Sequence, residues 1–253
     1  MSVGDFLGGE DGGSGKIDGV RIGLVVDNMD PMELGRVKVT FPWRMDMGES
    51  PWAPVATPMA YEESGTYFVP DEGEQVVVAF AGGYVTQPIV MGSIWSQEVR
   101  PPAAQAGEDA IRGIFSRNGH HLLFDDTPGE GLINIMTNGG HEITLSETAG
   151  EEFISISDPA GNAVLINTAE GSVEVNAMSD LSLSAQNIEL SAAESLTLDT
   201  AGELTLAGDA VDIAGAGDLS LESGGAMNME AGMEMSMSAS MAMTLEALLI
   251  MLN

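Results

Sequence analysis

The fold is decided by residues 173–206, which read VEVNAMSDLSLSAQNIELSAAESLTLDTAGELTL. Two aliphatic residues recur there at positions i and i+2, and small or polar residues separate one pair from the next. From Val173 the pairs follow each other in steps of eight residues, interrupted by two steps of seven. The doublet extends in both directions from this stretch, less regularly toward the N-terminus, as Ile133/Ile135, Ile143/Leu145, Ile154/Ile156, Val164/Ile166, Val173/Val175, Leu181/Leu183, Ile188/Leu190, Leu196/Leu198, Leu204/Leu206, Val211/Ile213, Leu219/Leu221, Met227/Met229, Met235/Met237 and Met243/Leu245.

On a β-strand, residues i and i+2 point to the same face, so each pair predicts one short strand with an apolar face. One octad cannot bury that face alone, whereas a stack of octads can. With strands about 4.8 Å apart, roughly ten octads predict a shaft on the order of 50 Å long. Such a shaft closes either when one chain coils alone or when three chains intertwine. The short corners and the lack of a dedicated cap favour three chains.

Residues before position 100 follow a different pattern. All three tryptophans and all three tyrosines lie there, and turn residues separate the candidate strands. Short strands separated by turns are predicted at 20–26, 36–41, 66–69, 75–80 and 89–95, and residues 36–41 show the alternation of apolar and polar residues that indicates a half-buried strand. About five strands in about 80 residues predict a small closed or nearly closed barrel such as an OB-fold.

The sequence therefore predicts an all-β protein with an N-terminal OB-fold barrel and a C-terminal triple-stranded β-helix, an intertwined homotrimeric needle. A proline- and alanine-rich stretch with Pro101 and Pro102 indicates the linker between them. The predicted segments are a flexible N-terminal segment at 1–19, an OB-fold collar at 20–98, a linker at 99–116, the irregular first repeats of the β-helix at 117–172, the octad needle at 173–247 and an apolar tip at 248–253.

Charge and composition exclude several classes of protein. The chain carries 39 acidic and 8 basic side chains, a formal net charge of −31, and no lysine or arginine follows Arg117. This charge argues against nucleic-acid binding and against docking on an anionic membrane face. Without cysteine, disulfide frameworks, thiolate nucleophiles and cysteine-based zinc sites are excluded. Repulsion between packed copies predicts a salt-tolerant protein from a halophilic source, and the alternative is an acidic surface that only aids solubility.

Hydropathy predicts no membrane span, because no apolar run reaches roughly 18 residues. Residues 1–19 are glycine-rich and acidic, and they lack the basic and apolar parts of a signal peptide.

Several motifs occur in an order and spacing that point to a known family. In the first half they are GLVVDNMDP (23–31), GRVKVTFPW (35–43), PWAPVA (51–56), GTYFVP (65–70), GEQVVVAF (73–80) and PIVMGSIW (88–95). In the second half they are RNGHHLLFDDTP (117–128), NGGHEI (138–143) and SDPAGN (157–162). Together they resemble contractile-tail spike proteins, a family that includes the valine–glycine-repeat spikes of type VI secretion, phage baseplate spikes and the spikes of extracellular contractile injection systems.

The resemblance implies a homotrimer whose OB domains form a collar and whose C-terminal strands form a rigid, membrane-puncturing needle. It implies that the protein is made in the cytoplasm, assembled on a baseplate hub protein at its N-terminal end and delivered outside the cell, touching the target membrane only transiently. It also implies a separate conical tip protein of the proline-alanine-alanine-arginine-repeat (PAAR) type at the C-terminal end.

Three departures from the family narrow this expectation. Only about 19 residues precede the predicted OB-fold, so the large hub domain of type VI members is expected on another protein. The connection from Trp95 to Arg117 is too short for the lysozyme domain of some phage spikes. The three histidines, His120, His121 and His141, lie at the base of the predicted needle, away from the apical metal site of some phage needles.

Few residues qualify as site candidates. His120 and His121 are neighbours on a predicted strand, so we expect one to pack and the other to be solvated rather than to share a metal. Asp125 and Asp126 diverge for the same reason and indicate a turn or a solvated role. No catalytic, cofactor-binding or metal-binding residue is predicted, and the chain is not expected to be an enzyme. The predicted interface with the tip protein is the apolar run Leu248, Leu249, Ile250, Met251, Leu252 and Asn253.

Two other functions are compatible with an aliphatic repeat. A monomeric β-solenoid that acts on or binds polysaccharide would need paired carboxylates on one face, whereas the acids of the octads are scattered. A trimeric fibre or adhesin would not need the motifs of the first half.

Overall fold

The computed structural model describes residues 16–44, 48–102 and 110–251. The described chain is all-β, apart from a 3₁₀ turn at Ala81–Gly83. It divides into two units at Leu183/Ser184. The first unit contains every strand of the described residues, and the predicted all-β class is confirmed.

The first sheet has four antiparallel strands in the order β2-β1-β5-β6. These are β1 (Val20–Asp27), β2 (Lys38–Thr40), β5 (Gln75–Phe80) and β6 (Pro88–Ser93), and a short hairpin joins β3 (Ala60–Tyr61) to β4 (Ser64–Gly65). Valines from these strands form a core with the aromatic rings of Phe41 and Phe80. Register shifts in β1 and in the β5–β6 pair bend the strands around that core.

Isolated bridges attach residues 49–55 to the first sheet. Val37 pairs with Ala53 and Thr40 with Glu49 in the antiparallel sense, and Val55 pairs with Val90 in the parallel sense. These pairings cover the valine core, so Ala53, Val37 and Val90 have no exposed surface. The N-terminal half thus closes its own hydrophobic core within one chain.

Four of the five strands predicted before position 100 are confirmed within a few residues, as β1, β2, β5 and β6. The fifth, Thr66–Val69, is wrong, because these residues pair with no strand in the described structure. Their tyrosine, phenylalanine and valine favour strands, but a strand also needs a neighbour to accept its hydrogen bonds.

The second sheet is an antiparallel meander of seven strands, each paired with the next along the chain. It consists of β7 (Ile111–Phe115), β8 (His121–Asp125), β9 (Leu132–Met136), β10 (Glu142–Ser146), β11 (Phe153–Ser157), β12 (Ala163–Asn167) and β13 (Ser172–Asn176). β7 falls inside the segment predicted as a linker, so the repeat region begins earlier than Arg117. β13 carries pairing within the chain to Asn176, slightly past the predicted start of the octad needle at Val173.

Beyond Asn176 the described residues form no strand. In the second unit, every described residue from Ser184 to Met251 is exposed. The expectation that each octad is a strand therefore fails within a single chain, since a strand is defined by its pairing and the octads have no paired neighbour here. The predicted β-helix needle stays a prediction.

Candidate interaction surfaces

One face of the second sheet is aliphatic across six strands. The pairings place the residues of each doublet directly opposite those of the next strand, which produces two continuous rows. The rows are Phe124–Ile133–Leu145–Ile154–Ile166–Val173 and Leu122–Ile135–Ile143–Ile156–Val164–Val175. All of these side chains except Leu122 are exposed, by 36 to 68%. We call this surface the aliphatic face.

The opposite face of the same sheet is mixed and better shielded, with half-buried apolar residues such as Leu132, Met136 and Phe153 on either side of a polar row. Asn134 lies between the doublet residues of β9 and is only 7% exposed. Its Nδ2 donates hydrogen bonds to Glu142 Oε1 and to Thr144 Oγ1, and its Oδ1 lies 2.9 Å from His121 Nε2. The Thr144 hydroxyl donates to Glu142 Oε1 over 2.9 Å. This network links three strands and satisfies the buried polar groups of this face within the chain, while the aliphatic face stays exposed.

Sequence reasoning missed this network, although its signal is visible. Asn134, Thr144 and Ser155 each occupy the middle position of a doublet, and the register aligns all three in one row. A polar residue in the middle of successive doublets predicts a polar row behind an apolar face.

The two histidines differ in exposure as predicted, although only His121 lies on a strand. His121 lies on β8, half-buried, with its ring 5.7 Å from that of Phe115. His120 lies in the preceding turn and is exposed, and its Nδ1 accepts a hydrogen bond from the Asn138 N–H.

The neighbouring aspartates also diverge as predicted. Asp125 accepts hydrogen bonds from the hydroxyl and the N–H of Thr127, which lower its pKa and fix the turn after β8. Asp126 is exposed and pairs with Arg112 at 3.1 Å.

The turns of the second sheet follow a spacing of 21 residues. At one edge, Gly119, Gly140 and Gly161 adopt positive φ angles of 85°, 85° and 98°. At the other edge, the glycines with positive φ are Gly129, Gly150 and Gly171. Glycine adopts this conformation without the steric cost that other residues incur. The 21-residue spacing of these glycines is present in the sequence, but the octad repeat of the C-terminal half is the more conspicuous pattern.

Apolar exposure continues past the second sheet. The described doublets of the second unit, from Ile188/Leu190 to Met243/Leu245, are all exposed. At the predicted tip, Leu248, Leu249, Ile250 and Met251 are exposed, whereas Leu252 and Asn253 lie outside the described residues.

A second surface lies on the first unit, where a cleft of about 620 Å³ opens beside the β3–β4 hairpin. Glu33, Leu34 and Gly35 line it from the loop after β1. Twelve of the residues between Val55 and Val69 line the rest. The rings of Tyr61 and Tyr67 are each 80% exposed at this cleft. We call it the acidic cleft, because Glu33 and Glu63 are its charged lining residues.

An ion pair holds the loop beside the acidic cleft. Arg36 donates to both carboxylate oxygens of Asp30, over 2.7 and 2.8 Å, and Asp30 also accepts from the N–H groups of Met32 and Leu34. The Asp30 side chain is 2% exposed. The hydrogen bonds from Arg36, followed by those from the main chain, hold the pKa of Asp30 well below its usual range, and the same pair raises the pKa of Arg36. The loop is therefore fixed before any partner binds.

Two kinds of site have no counterpart among the described residues. Within 16–44, 48–102 and 110–251, no three His, Asp or Glu side chains are grouped to hold a metal ion. The same ranges contain no helix with the length and hydropathy that crossing a membrane requires.

Comparison with known proteins gives one matching family and two related proteins. Residues 21–95 match the family described as the type VI secretion system/phage-baseplate injector OB domain. The type VI secretion system spike proteins VgrG2a and VgrG2b of Pseudomonas aeruginosa are each 33% identical to this chain over 128 residues, or 46% of its length. The matched part is 15% of VgrG2a and 13% of VgrG2b. The first sheet with its connections is thus an OB domain of the injector type.

Proposed function

Since residues 21–95 match the injector OB domain of type VI secretion systems and phage baseplates, we propose that this chain is the structural central spike of a contractile injection machine. In this proposal three copies assemble into one spike, with the OB domains as a collar and the C-terminal repeats as a needle. The needle transmits the force of contraction to the target envelope, and the protein performs no catalysis.

The observation that carries the proposal is the aliphatic face. Eleven exposed aliphatic or aromatic side chains in two unbroken rows form a surface far too apolar for a solvated sheet. The opposite face is already half-buried or buried from β8 to β12, and the network around Asn134 satisfies its buried polar groups. The aliphatic face is therefore the face that calls for a partner, as in a prism whose three walls turn their apolar faces inward.

The octads support the same arrangement. Their doublets keep the spacing of a strand, yet no described residue after Asn176 belongs to a strand. Exposed doublets at the spacing of a strand favour pairing with further strands that cover them. Copies of the same chain supply them in register, because every copy carries the same doublets at the same positions. We infer that pairing changes from within the chain to between chains after β13.

The ends of the spike are assigned by the same proposal. The N-terminal collar mounts on a trimeric hub protein of the baseplate, and the apolar tip at 248–253 carries a conical PAAR-type protein. The spike is built into a phage-tail-like particle in the cytoplasm and leaves the cell with it, crossing the target membrane only transiently.

Mass in solution tests the assembly. We expect analytical ultracentrifugation of the full chain to give three times 26.3 kDa, about 79 kDa. A species of 26.3 kDa with all doublets protected from hydrogen exchange would instead indicate a monomeric solenoid. A trimer encoded apart from sheath, tube and hub genes would favour a fibre or adhesin.

A truncation tests the tip. Removal of residues 248–253 should abolish binding of a purified PAAR-type protein while the mass stays near that of three chains. Unchanged binding would remove the tip assignment without affecting the spike itself.

The charge of the chain adds a condition for assembly. Three copies, each with a net charge of −31, repel one another, and molar salt shortens the screening length from about 8 Å to about 3 Å. We propose that the spike is adapted to high salt. The melting temperature should then rise from low to molar salt, and a flat response would contradict this adaptation.

A further inference from the structure

The acidic cleft is a surface that the spike proposal does not use. Its floor is apolar, with Val55 and Val69 half-buried, and its rim presents Tyr61, Tyr67 and Phe68 to solvent. A cluster of exposed aromatic rings beside a concave apolar floor is typical of a protein-binding site.

An unpaired extended segment borders this cleft. Residues 66–69 have the composition of a strand, but no main-chain hydrogen bond involves Tyr67, Phe68 or Val69 within the part of the chain that the structure describes. Residues with strong strand preference whose N–H and C=O groups are free form a template for another strand.

The cleft is also preformed. Glu33 and Glu63 are the non-glycine residues with positive φ among those described, and both line it. The Asp30–Arg36 pair fixes the loop of Glu33. On the other side, the Thr57 hydroxyl bonds to Thr66, and the Thr66 N–H donates to the Met59 carbonyl. Little ordering is therefore required when a partner binds.

Charge selects the kind of partner. Glu33 and Glu63 line the cleft, the exposed Glu62 adjoins it, and no lysine or arginine is among its lining residues. An arginine or lysine side chain would complement these carboxylates and would also lie well over a tyrosine ring. A second copy of this chain, with its net charge of −31, complements the cleft poorly.

We propose that the acidic cleft binds an extended segment of another protein that carries lysine or arginine, and that this segment pairs as a strand with residues 67–69. Main-chain hydrogen bonds to residues 67–69 supply the affinity, and the glutamates and tyrosine rings select basic side chains. The site belongs to the first unit alone and does not depend on whether the chain forms a needle.

The test uses the full chain and three matched eight-residue peptides of alternating valine and a second residue, which is lysine, glutamine or glutamate. Binding is measured by fluorescence anisotropy, and hydrogen exchange of residues 66–70 is followed by mass spectrometry. The variant E33Q/E63Q removes the two charges of the cleft. The control variant E222Q/E230Q removes two charges from exposed positions of the second unit.

The lysine peptide should bind most tightly and slow exchange at residues 66–70 by about tenfold. In the variant E33Q/E63Q, each of the two substitutions should weaken binding of the lysine peptide by about threefold to fivefold. The control variant E222Q/E230Q should bind this peptide as the parent does.

Several results would overturn the proposal. One is saturation by the lysine peptide without protection of residues 66–70, and another is equal weakening in both variants, which indicates non-specific attraction to an acidic surface. A third is protection that rises with protein concentration in the absence of peptide, which indicates a second copy. A fourth is protection by a neutral chitin oligosaccharide instead of the peptide.

Discussion

The two sheets of the first unit contain similar aliphatic residues, but the first sheet buries them and the second sheet leaves them exposed. In the first sheet, Val76, Val78 and Val90 have no exposed surface, because β-strands and the segment 49–55 close around them. In the second sheet, isoleucines, leucines and valines of the same kind stay exposed in two rows. Strand-forming sequence alone therefore does not decide whether a core closes within one chain. The first sheet is bent by bulges and covered by its own connections, whereas short turns join the strands of the second sheet and no described segment covers its aliphatic face.

The largest effect is expected from placing a charge on the aliphatic face, which should prevent assembly. Ile143 lies at the centre of one row, and Ile143→Asp places a charge where the proposed trimer is dry. A buried unpaired carboxylate is strongly destabilising, so we expect complete loss of the 79 kDa species in ultracentrifugation. The control Asn176→Asp adds the same charge at an exposed position on the polar face of β13 and should leave the mass unchanged.

A smaller effect is expected in the core of the first sheet. Val78 has no exposed surface, so Val78→Ala should lower the free energy of unfolding of the OB domain by about 2 kcal/mol. The assembled mass should not change, because this core is complete in one chain. The exposed Val20 supplies the control, and Val20→Ala should change stability by less than about 0.5 kcal/mol in chemical denaturation.

The turns of the second sheet predict a further, smaller loss. Gly140 has a φ of 85°, whereas the adjacent Gly139 has no positive φ. Gly140→Ala should destabilise the sheet by about 1 kcal/mol, because alanine is strained in the left-handed region. Gly139→Ala should have little effect, and equal losses in the two variants would show that the turn conformation is not the cause.

The pH dependence of the OB domain should change least of all. The pKa of Asp30 is lower in the folded protein than in the unfolded chain, mainly because of Arg36. Its stabilising contribution is thus complete above the unfolded pKa of about 3.9 and is lost as the pH falls further. Asp30→Asn should lower the melting temperature at pH 7 and flatten its decline below about pH 4. The exposed Asp18→Asn should preserve the parent curve, and a parallel decline in all three proteins would contradict this role for Asp30.

The sequence predicted those parts of the fold that depend on local alternation. Gln75–Phe80 alternates polar or half-buried with buried residues and forms β5 with the predicted bounds. Thr66–Val69 shows comparable strand preference but pairs with nothing, because pairing is decided by which backbone lies nearby. The network around Asn134 and the acidic cleft both depend on register and on loop geometry, and neither was predicted. The octads are the extreme case, since the described residues after Asn176 carry the doublets of strands but form no strand.

The 21-residue spacing of the glycine turns has a consequence for how such a sheet can change in length. Two strands and two turns return the backbone to the same edge, with the doublets facing the same side. Insertion or deletion of one such pair would therefore preserve the direction of the chain and the composition of both faces. Loss of a single strand would instead deliver the following segment to the wrong edge. The hairpin pair, and not the strand, is the module by which the length of this region can be altered.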